Sequence, residues 1–145
     1  MNRTREILLV EDSPSDAFLT REALRGLGPR LHVVNDGVEA MQFLRREPPF
    51  ADAPRPDLIL LDLNTPRMDG REVLAAIKQD AHLRCIPVIV LTSSTREADL
   101  NVAYDLHANC YVAKPTDFNQ FREAIRLIET FWFHLASLPP GEAPR

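Results

Sequence analysis

Cysteine is nearly absent. Cys85 and Cys110 are the two thiols in 145 residues, with no Cys-x-x-Cys spacing and no histidine at a metal-ligand interval. This excludes a disulfide framework and a thiolate metal centre, and predicts two core thiols in a reducing compartment. No apolar run approaches the roughly 18 residues needed to span a bilayer, and the N-terminus lacks a signal-peptide core with a small-residue cleavage site, so a cytoplasmic protein away from the membrane is expected. A basic face is missing as well: the net charge of −4 leaves no electrostatic case for nucleic acid. The histidines His32, His82, His107 and His134 follow no ligand spacing and are expected at the surface or at an edge. Arg3, Arg5, Arg45 and Arg46 read as solvated charge. Internal repeats and a second domain are also lacking.

What the chain does have is three apolar runs that end in charge. Ile7 to Val10 runs into Glu11 and Asp12, Leu58 to Leu61 into Asp62, and Tyr111 to Ala113 into Lys114 and Pro115. A short, fully apolar run bounded by polar residues is the signature of a strand covered on both faces, as in a parallel sheet. Ligands of open parallel sheets bind beyond the carboxyl ends of the strands. Taken singly, an Asp after a strand is as well explained as a turn or helix-cap residue. Taken together, three carboxylates and an ammonium at one sheet edge make a site.

Strand and helix patterns alternate along the whole chain. Strands are predicted near Glu6 to Val10, Leu31 to Val34, Asp57 to Asp62, Val88 to Leu91 and Cys110 to Ala113. Ser13 suits the N-cap of the first helix, Pro14 its first position, and Asp16 the favourable end of the dipole. The later helices carry Val38, Met41 and Leu44; then Val73, Leu74 and Ile77; then Ala98, Val102 and Leu106, ending at Ala108 and Asn109 with Asn as a left-handed cap. The last runs from about Asp117 to Leu138. Five strands and five helices in strict alternation is the count of a flavodoxin-like doubly wound fold with strand order 2-1-3-4-5. The domain is expected over residues 1–138, followed by a proline-rich tail at 139–145.

In that order the ends of the first and third strands are neighbours, so Glu11, Asp12 and Asp62 crowd together. Like charges a few ångströms apart raise each other's pKa, and the usual relief is a divalent cation. A hard oxygen pocket with few protein ligands suits Mg²⁺, with Asp12, Asp62 and the main-chain carbonyl of Asn64 as ligands and Glu11 acting through a water. A carboxylate such as Asp62 can also be a nucleophile that forms an aspartyl phosphate. Lys114 then supplies positive charge and Thr92 a hydroxyl to the transferred group.

The strings at 7 to 12 (Ile-Leu-Leu-Val-Glu-Asp), 62 to 70 (Asp-Leu-Asn-Thr-Pro-Arg-Met-Asp-Gly), 90 to 93 (Val-Leu-Thr-Ser) and 111 to 115 (Tyr-Val-Ala-Lys-Pro) resemble the receiver domain of two-component response regulators. The resemblance implies that Asp62 is the phosphoacceptor, Glu11 and Asp12 the acidic pair, Thr92 and Tyr111 the switch residues, and Lys114 the phosphate-contacting lysine before a cis Pro115. It further implies a sensor histidine kinase as phosphodonor. Asn64 and Ser94 match positions that tune dephosphorylation in that family. Thr65 departs from its pattern, standing where Met or Leu is common. The Phe131-Trp132-Phe133 and Leu138-Pro139-Pro140 ending, with the proline-rich stretch before the third strand, resembles the single-domain regulators that partner cyanobacterial and bacterial phytochromes, and so implies a bacteriophytochrome as that kinase.

On the last helix, Phe118, Phe121, Ile125, Ile128, Trp132 and Leu135 make one apolar stripe, and Ala124, Leu127, Phe131 and Leu138 a second. A single edge helix cannot hide both. This predicts a homodimer through the face of helix four, strand five and helix five, with Phe121, Ile128, Phe131 and Trp132 at the contact; the alternative is that the tail folds back over the second stripe or docks only on a partner kinase. Two other readings compete for the function. Asp62-Leu63-Asn64-Thr65 resembles the nucleophile loop of haloacid dehalogenase-type phosphatases, but Asn64 stands where their acid-base Asp belongs. A pseudo-receiver acting only as a binding module would need no reactive residues, whereas the full set is present.

Overall fold

The computed structural model describes residues 3–140, so most of the expected tail, 141–145, lies outside the described residues. Five parallel strands form one sheet in the order β2-β1-β3-β4-β5: β1 (Glu6–Val10), β2 (Arg30–Val34), β3 (Leu58–Leu61), β4 (Val88–Thr92) and β5 (Cys110–Ala113). Helices α1 (Pro14–Leu24), α2 (Gly37–Arg45), α3 (Gly70–Gln79), α4 (Glu97–Asp105) and α5 (Phe118–Thr130) connect and cover them. This is the doubly wound, flavodoxin-like architecture expected from the alternation.

The strands β1, β3 and β4 are buried at every position, which is why their sequences are apolar without interruption. Successive side chains point to opposite faces. Leu8, Val10, Ile59, Leu61, Val88 and Val90 build one core with α2 and α3, while Ile7, Leu9, Leu58, Leu60, Ile89 and Leu91 build the other with α1 and α5. Local signals act as their chemistry requires. The Ser13 hydroxyl accepts from the Asp16 N–H with Pro14 at the first turn, and Asp36, Asp69 and Asp117 cap α2, α3 and α5 in the same way. The pairings Val10 with Leu61, Leu61 with Val90, and Thr92 with Ala113 align the carboxyl ends of β1, β3, β4 and β5. The residues immediately beyond them are therefore neighbours.

Several expectations are corrected. Cys85 is exposed, because Leu83 and Ile86 fill the core from its loop instead, while Cys110 on β5 is half-buried against the core. Ala98 and Val102 face outward on α4; the inward positions are Asp99, Ala103 and Leu106, and a pattern built on apolar residues skips a buried acid. The left-handed residue after α4 is His107 (φ 70°) rather than Asn109. Arg3 and Arg5 are not free charge, since both pair with the buried carboxylate of Asp57. Among the described residues the cis peptide bond is Pro48–Pro49, and the bond before Pro115 is trans; the two isomers of an X–Pro bond differ by only about 0.5–1 kcal/mol, so packing decides.

The α-helical part of α5 ends at Thr130, short of the expected Leu138, and a single π-helical turn follows over Phe131–Leu135. The wider turn lets consecutive aromatics, Trp132 and Phe133, both pack against the core, and Leu138, preceding Pro139, is disfavoured from continuing the helix. Phe121 is 3% exposed inside the chain's own core and Ile128 and Trp132 pack against it. Phe121 is therefore not available at a subunit contact as expected, because the sheet already covers it. The apolar surface left open at this end of the chain is Leu127, Phe131 and Leu135, with Phe118 exposed at the helix start.

Candidate functional site

The carboxyl edge of the sheet gathers groups from four strands. Asp62 follows β3 and is 7% exposed. Its Oδ1 accepts from the Asn64 N–H (3.0 Å) and from the Thr92 hydroxyl at the end of β4 (3.1 Å). Its Oδ2 accepts from Lys114 Nζ at 2.9 Å, delivered from the end of β5. The same ammonium donates to Glu11 Oε1 (2.5 Å) and to Asp16 Oδ2 (2.8 Å). Lys114 thus uses all three protons on three carboxylates. Its own backbone N–H donates to the Thr92 carbonyl at 2.7 Å, which fixes the ammonium stem against β4.

Ligand oxygens of Glu11, Asp12 and Asp62 lie within 4.8 Å of one another, with Asp12 the exposed member. An all-oxygen set of three carboxylates fits a hard divalent cation, which keeps several waters and needs few protein ligands. Titration follows the crowding. Burial pushes the Glu11 carboxyl up to about 7, against the pull of Lys114 and with Asp62 adding to the rise. For Asp62 burial also acts upward, but the Asn64 N–H, Lys114 and Thr92 outweigh it and hold the carboxyl below its ordinary value. Burial opposes the charge on Lys114, yet Asp16, Glu11 and Asp62 raise its pKa above the ordinary lysine value. At neutral pH the centre holds an ionised Asp62 beside a fixed cation.

The loop from Asp62 to Gly70 is built to carry this acid. Gly70 donates its N–H to the Leu63 carbonyl, and a Cβ at Gly70 would stand 2.5 Å from the Asp62 carbonyl oxygen, so only glycine fits there. Thr65, the departure in the motif, is buried and donates its hydroxyl to the Met68 carbonyl at 2.8 Å, closing the turn. Arg67 grips both oxygens of Asp36 at the start of α2 (2.8 and 3.1 Å). Tyr111 on β5 is half-buried, and its hydroxyl donates to the Ser94 carbonyl at 2.9 Å.

Every residue expected at the site, Glu11, Asp12, Asp62, Asn64, Thr92 and Lys114, therefore comes to this edge, with Tyr111 one loop away. Two further acids carry no signal in the sequence for their roles: Asp16, expected only at the helix dipole, lies one turn beyond Asp12 and within reach of the lysine, and Asp99 on α4 is buried with nothing in the apolar pattern to mark it.

Comparison with known proteins agrees with this geometry. The response regulator receiver domain profile matches residues 7–126. The response regulator Rcp1 of Synechocystis sp. is 45% identical over 140 residues, covering 95% of each chain. The crystal structure of the phosphorylated cyanobacterial phytochrome response regulator RcpA superposes with a TM-score of 0.91 at 48% identity, covering 94% of this chain and 99% of that one. The Mn²⁺-bound form of Rcp1 gives 0.89 at 45% identity, covering 93% and 99%. These matches run through all four motifs and leave the phosphatase reading without support. The chain belongs to the response regulator receiver domain family.

Proposed function

We propose that Asp62 is the phosphoacceptor of a two-component phosphorelay, taking a phosphoryl group from a sensor histidine kinase with Mg²⁺ and signalling by protein contact. One observation carries the reading: Asp62 is ionised and oriented, with Asn64 and Thr92 on one oxygen and Lys114 on the other. An Asp62 oxygen attacks the donor phosphorus, the bond from phosphorus to the kinase's histidine nitrogen breaks, and the imidazole leaves with that electron pair. Lys114 and the Thr92 hydroxyl then face the new phosphoryl oxygens, where charge-assisted donors are strongest. Asp12, Asp62 and the Asn64 carbonyl would hold the cation, Glu11 acting through a water. When bound, it would neutralise charge on the transferring group.

The altered pocket is read through Thr92 and Tyr111: the phosphoryl group draws the Thr92 hydroxyl inward, and Tyr111 fills the space this vacates, the inward place against the Ser94 carbonyl. The output face is α4, β5 and α5. Homodimerisation through it is supported by the open apolar residues Leu127 and Phe131 on the helix end. Similarity to RcpA, a cyanobacterial phytochrome response regulator, supports a bacteriophytochrome as the kinase; the cytoplasm is the proposed place of action.

Incubation with Mg²⁺ and acetyl phosphate, followed by intact mass measurement, tests the assignment. Wild type gains one phosphoryl group and Asp62→Asn gains none; uptake by the variant would refute the site.

A further inference from the structure

Asp99 is 7% exposed on α4, a carboxylate that the phosphoacceptor site does not use. It accepts from the Ser94 hydroxyl (2.5 Å) and from Arg71 Nη2 (2.6 Å), with Arg96 Nε at 3.4 Å. Arg71, in the first turn of α3, also donates to both oxygens of Asp69, the residue that caps α3 and ends the loop begun by Asp62. Ser94 lies two residues beyond Thr92, which touches Asp62, and its carbonyl is the acceptor of the Tyr111 hydroxyl. A continuous chain of hydrogen bonds thus runs from the loop after β3, through Arg71 and Asp99, to the loop after β4 and the aromatic on β5.

Beyond the Arg96 N–H, which donates to Ser94 Oγ at 3.3 Å, the segment between β4 and α4 has little else to hold it. Ser93 and the residues 95–98 are exposed, and Arg96, at the N-cap of α4, makes no side-chain cap bond. Without such a cap the first orphan N–H groups of α4 contribute little to fixing the approach of the loop. Burying a carboxylate costs free energy unless it is paired and hydrogen-bonded. Asp99 is both, and its partners lie on α3 and on the loop itself rather than on the helix that carries it, Arg96 apart. The Ser94 side chain is thereby anchored on one side while its carbonyl serves Tyr111 on the other.

We infer that Asp99 is a positioning residue: by holding the Ser94 hydroxyl, and being held by Arg71, it sets the loop conformation in which the Ser94 carbonyl receives Tyr111. The inference rests on Tyr111 being the switch aromatic. It adds that α3, through Arg71, takes part in setting that switch.

Incorporation of 3-fluorotyrosine, with Tyr104→Phe to assign the signals, reads Tyr111 directly by ¹⁹F NMR in the unphosphorylated protein. In wild type the Tyr111 resonance is expected at a buried position distinct from that of the exposed Tyr104. Asp99→Ala is expected to shift the balance between inward and solvent-exposed Tyr111 by about tenfold, the effect of losing one hydrogen bond to a charged group, and so move the resonance toward that of Tyr104. Ser94→Ala is expected to move it in the same direction, and the double variant no further than the larger single effect, because the two residues act in one chain. Asp99→Asn, which keeps an acceptor for Ser94, falls between wild type and Asp99→Ala.

An unmoved resonance in Ser94→Ala overturns the inference, even if Asp99→Ala fails to fold. So does additivity in the double variant, which would mark Asp99 as a general stabiliser of α4. Phosphoryl uptake from acetyl phosphate is measured beside these spectra and remains as in wild type for Asp99→Ala. Failure of wild type itself to take up the group counts against the phosphoacceptor reading and not against this one.

Discussion

Lys114 Nζ stands 2.9 Å from Asp62 Oδ2, although the two residues are 52 positions apart in sequence and the whole of β4 lies between their strands. The same ammonium also reaches Glu11 and Asp16, so one cation balances an acidic pocket assembled from three places in the chain. Most of the predictions below concern what happens when that balance, or the loops that hold it, is disturbed.

Removing the cation should make stability steeply pH-dependent. In Lys114→Met, Glu11 and Asp62 lose their counter-charge, and Glu11, already raised to about 7, rises further. A carboxyl whose folded pKa exceeds its unfolded value of 4.5 favours the fold fully below that pH, and this is lost as pH climbs through the folded pKa. Urea denaturation should therefore show a deficit of about 1–3 kcal/mol at pH 8 relative to wild type, the order expected for a buried group stripped of its partner, shrinking toward pH 4.5. A deficit independent of pH would contradict the account.

Divalent cations should act in the opposite sense. Mg²⁺ requires the deprotonated pocket, so its stabilising effect grows as pH rises through 7, where Glu11 gives up its proton. At a hundredfold excess over Kd the gain is about 2.7 kcal/mol, visible as a rise in Tm at pH 8 that is smaller at pH 6. Asp12→Ala should remove most of it at either pH.

Tyr111→Ala should leave phosphoryl uptake at Asp62 intact while weakening any phosphate-dependent association. Tyr111→Phe, which loses only the 2.9 Å bond to Ser94, should cost about 0.5–1.5 kcal/mol in stability by denaturant titration. Association unchanged in Tyr111→Ala would remove Tyr111 from the switch.

Gly70→Ala should disturb the site from outside it. The new methyl meets the Asp62 carbonyl and the Leu63 Cα at 2.5 Å, both backbone, so the loop must move. A stability loss of about 1–3 kcal/mol, typical of overpacking, should accompany slower uptake from acetyl phosphate.

On the proposed output face, Phe131→Asp should shift the proposed homodimer to monomer in sedimentation velocity with little change in Tm, since Phe131 is 48% exposed in the single chain; a wild type that sediments as a monomer would refute the dimer. Phe121→Ala, by contrast, should lower stability by about 3–5 kcal/mol, because that ring lies in the core.

The strands, their order and the six residues at the carboxyl edge were legible in the sequence because β1, β3 and β4, buried on both faces, leave unbroken apolar runs, and the charge that follows β1, β3 and β5 marks the sheet edge. The cap Ser13 was legible for a similar reason: its hydrogen bond to the Asp16 N–H is local, and a local bond depends on residues within one turn. Tertiary structure alone decided what depends on partners far along the chain. Asp99 is buried because Arg71 and Ser94 come to meet it, Arg3 and Arg5 are occupied because Asp57 lies beside them, and Phe121 is inside rather than at a contact because the sheet takes that face of α5. Polar side chains read as solvated until a distant partner makes their burial affordable, and no spacing rule carries that information.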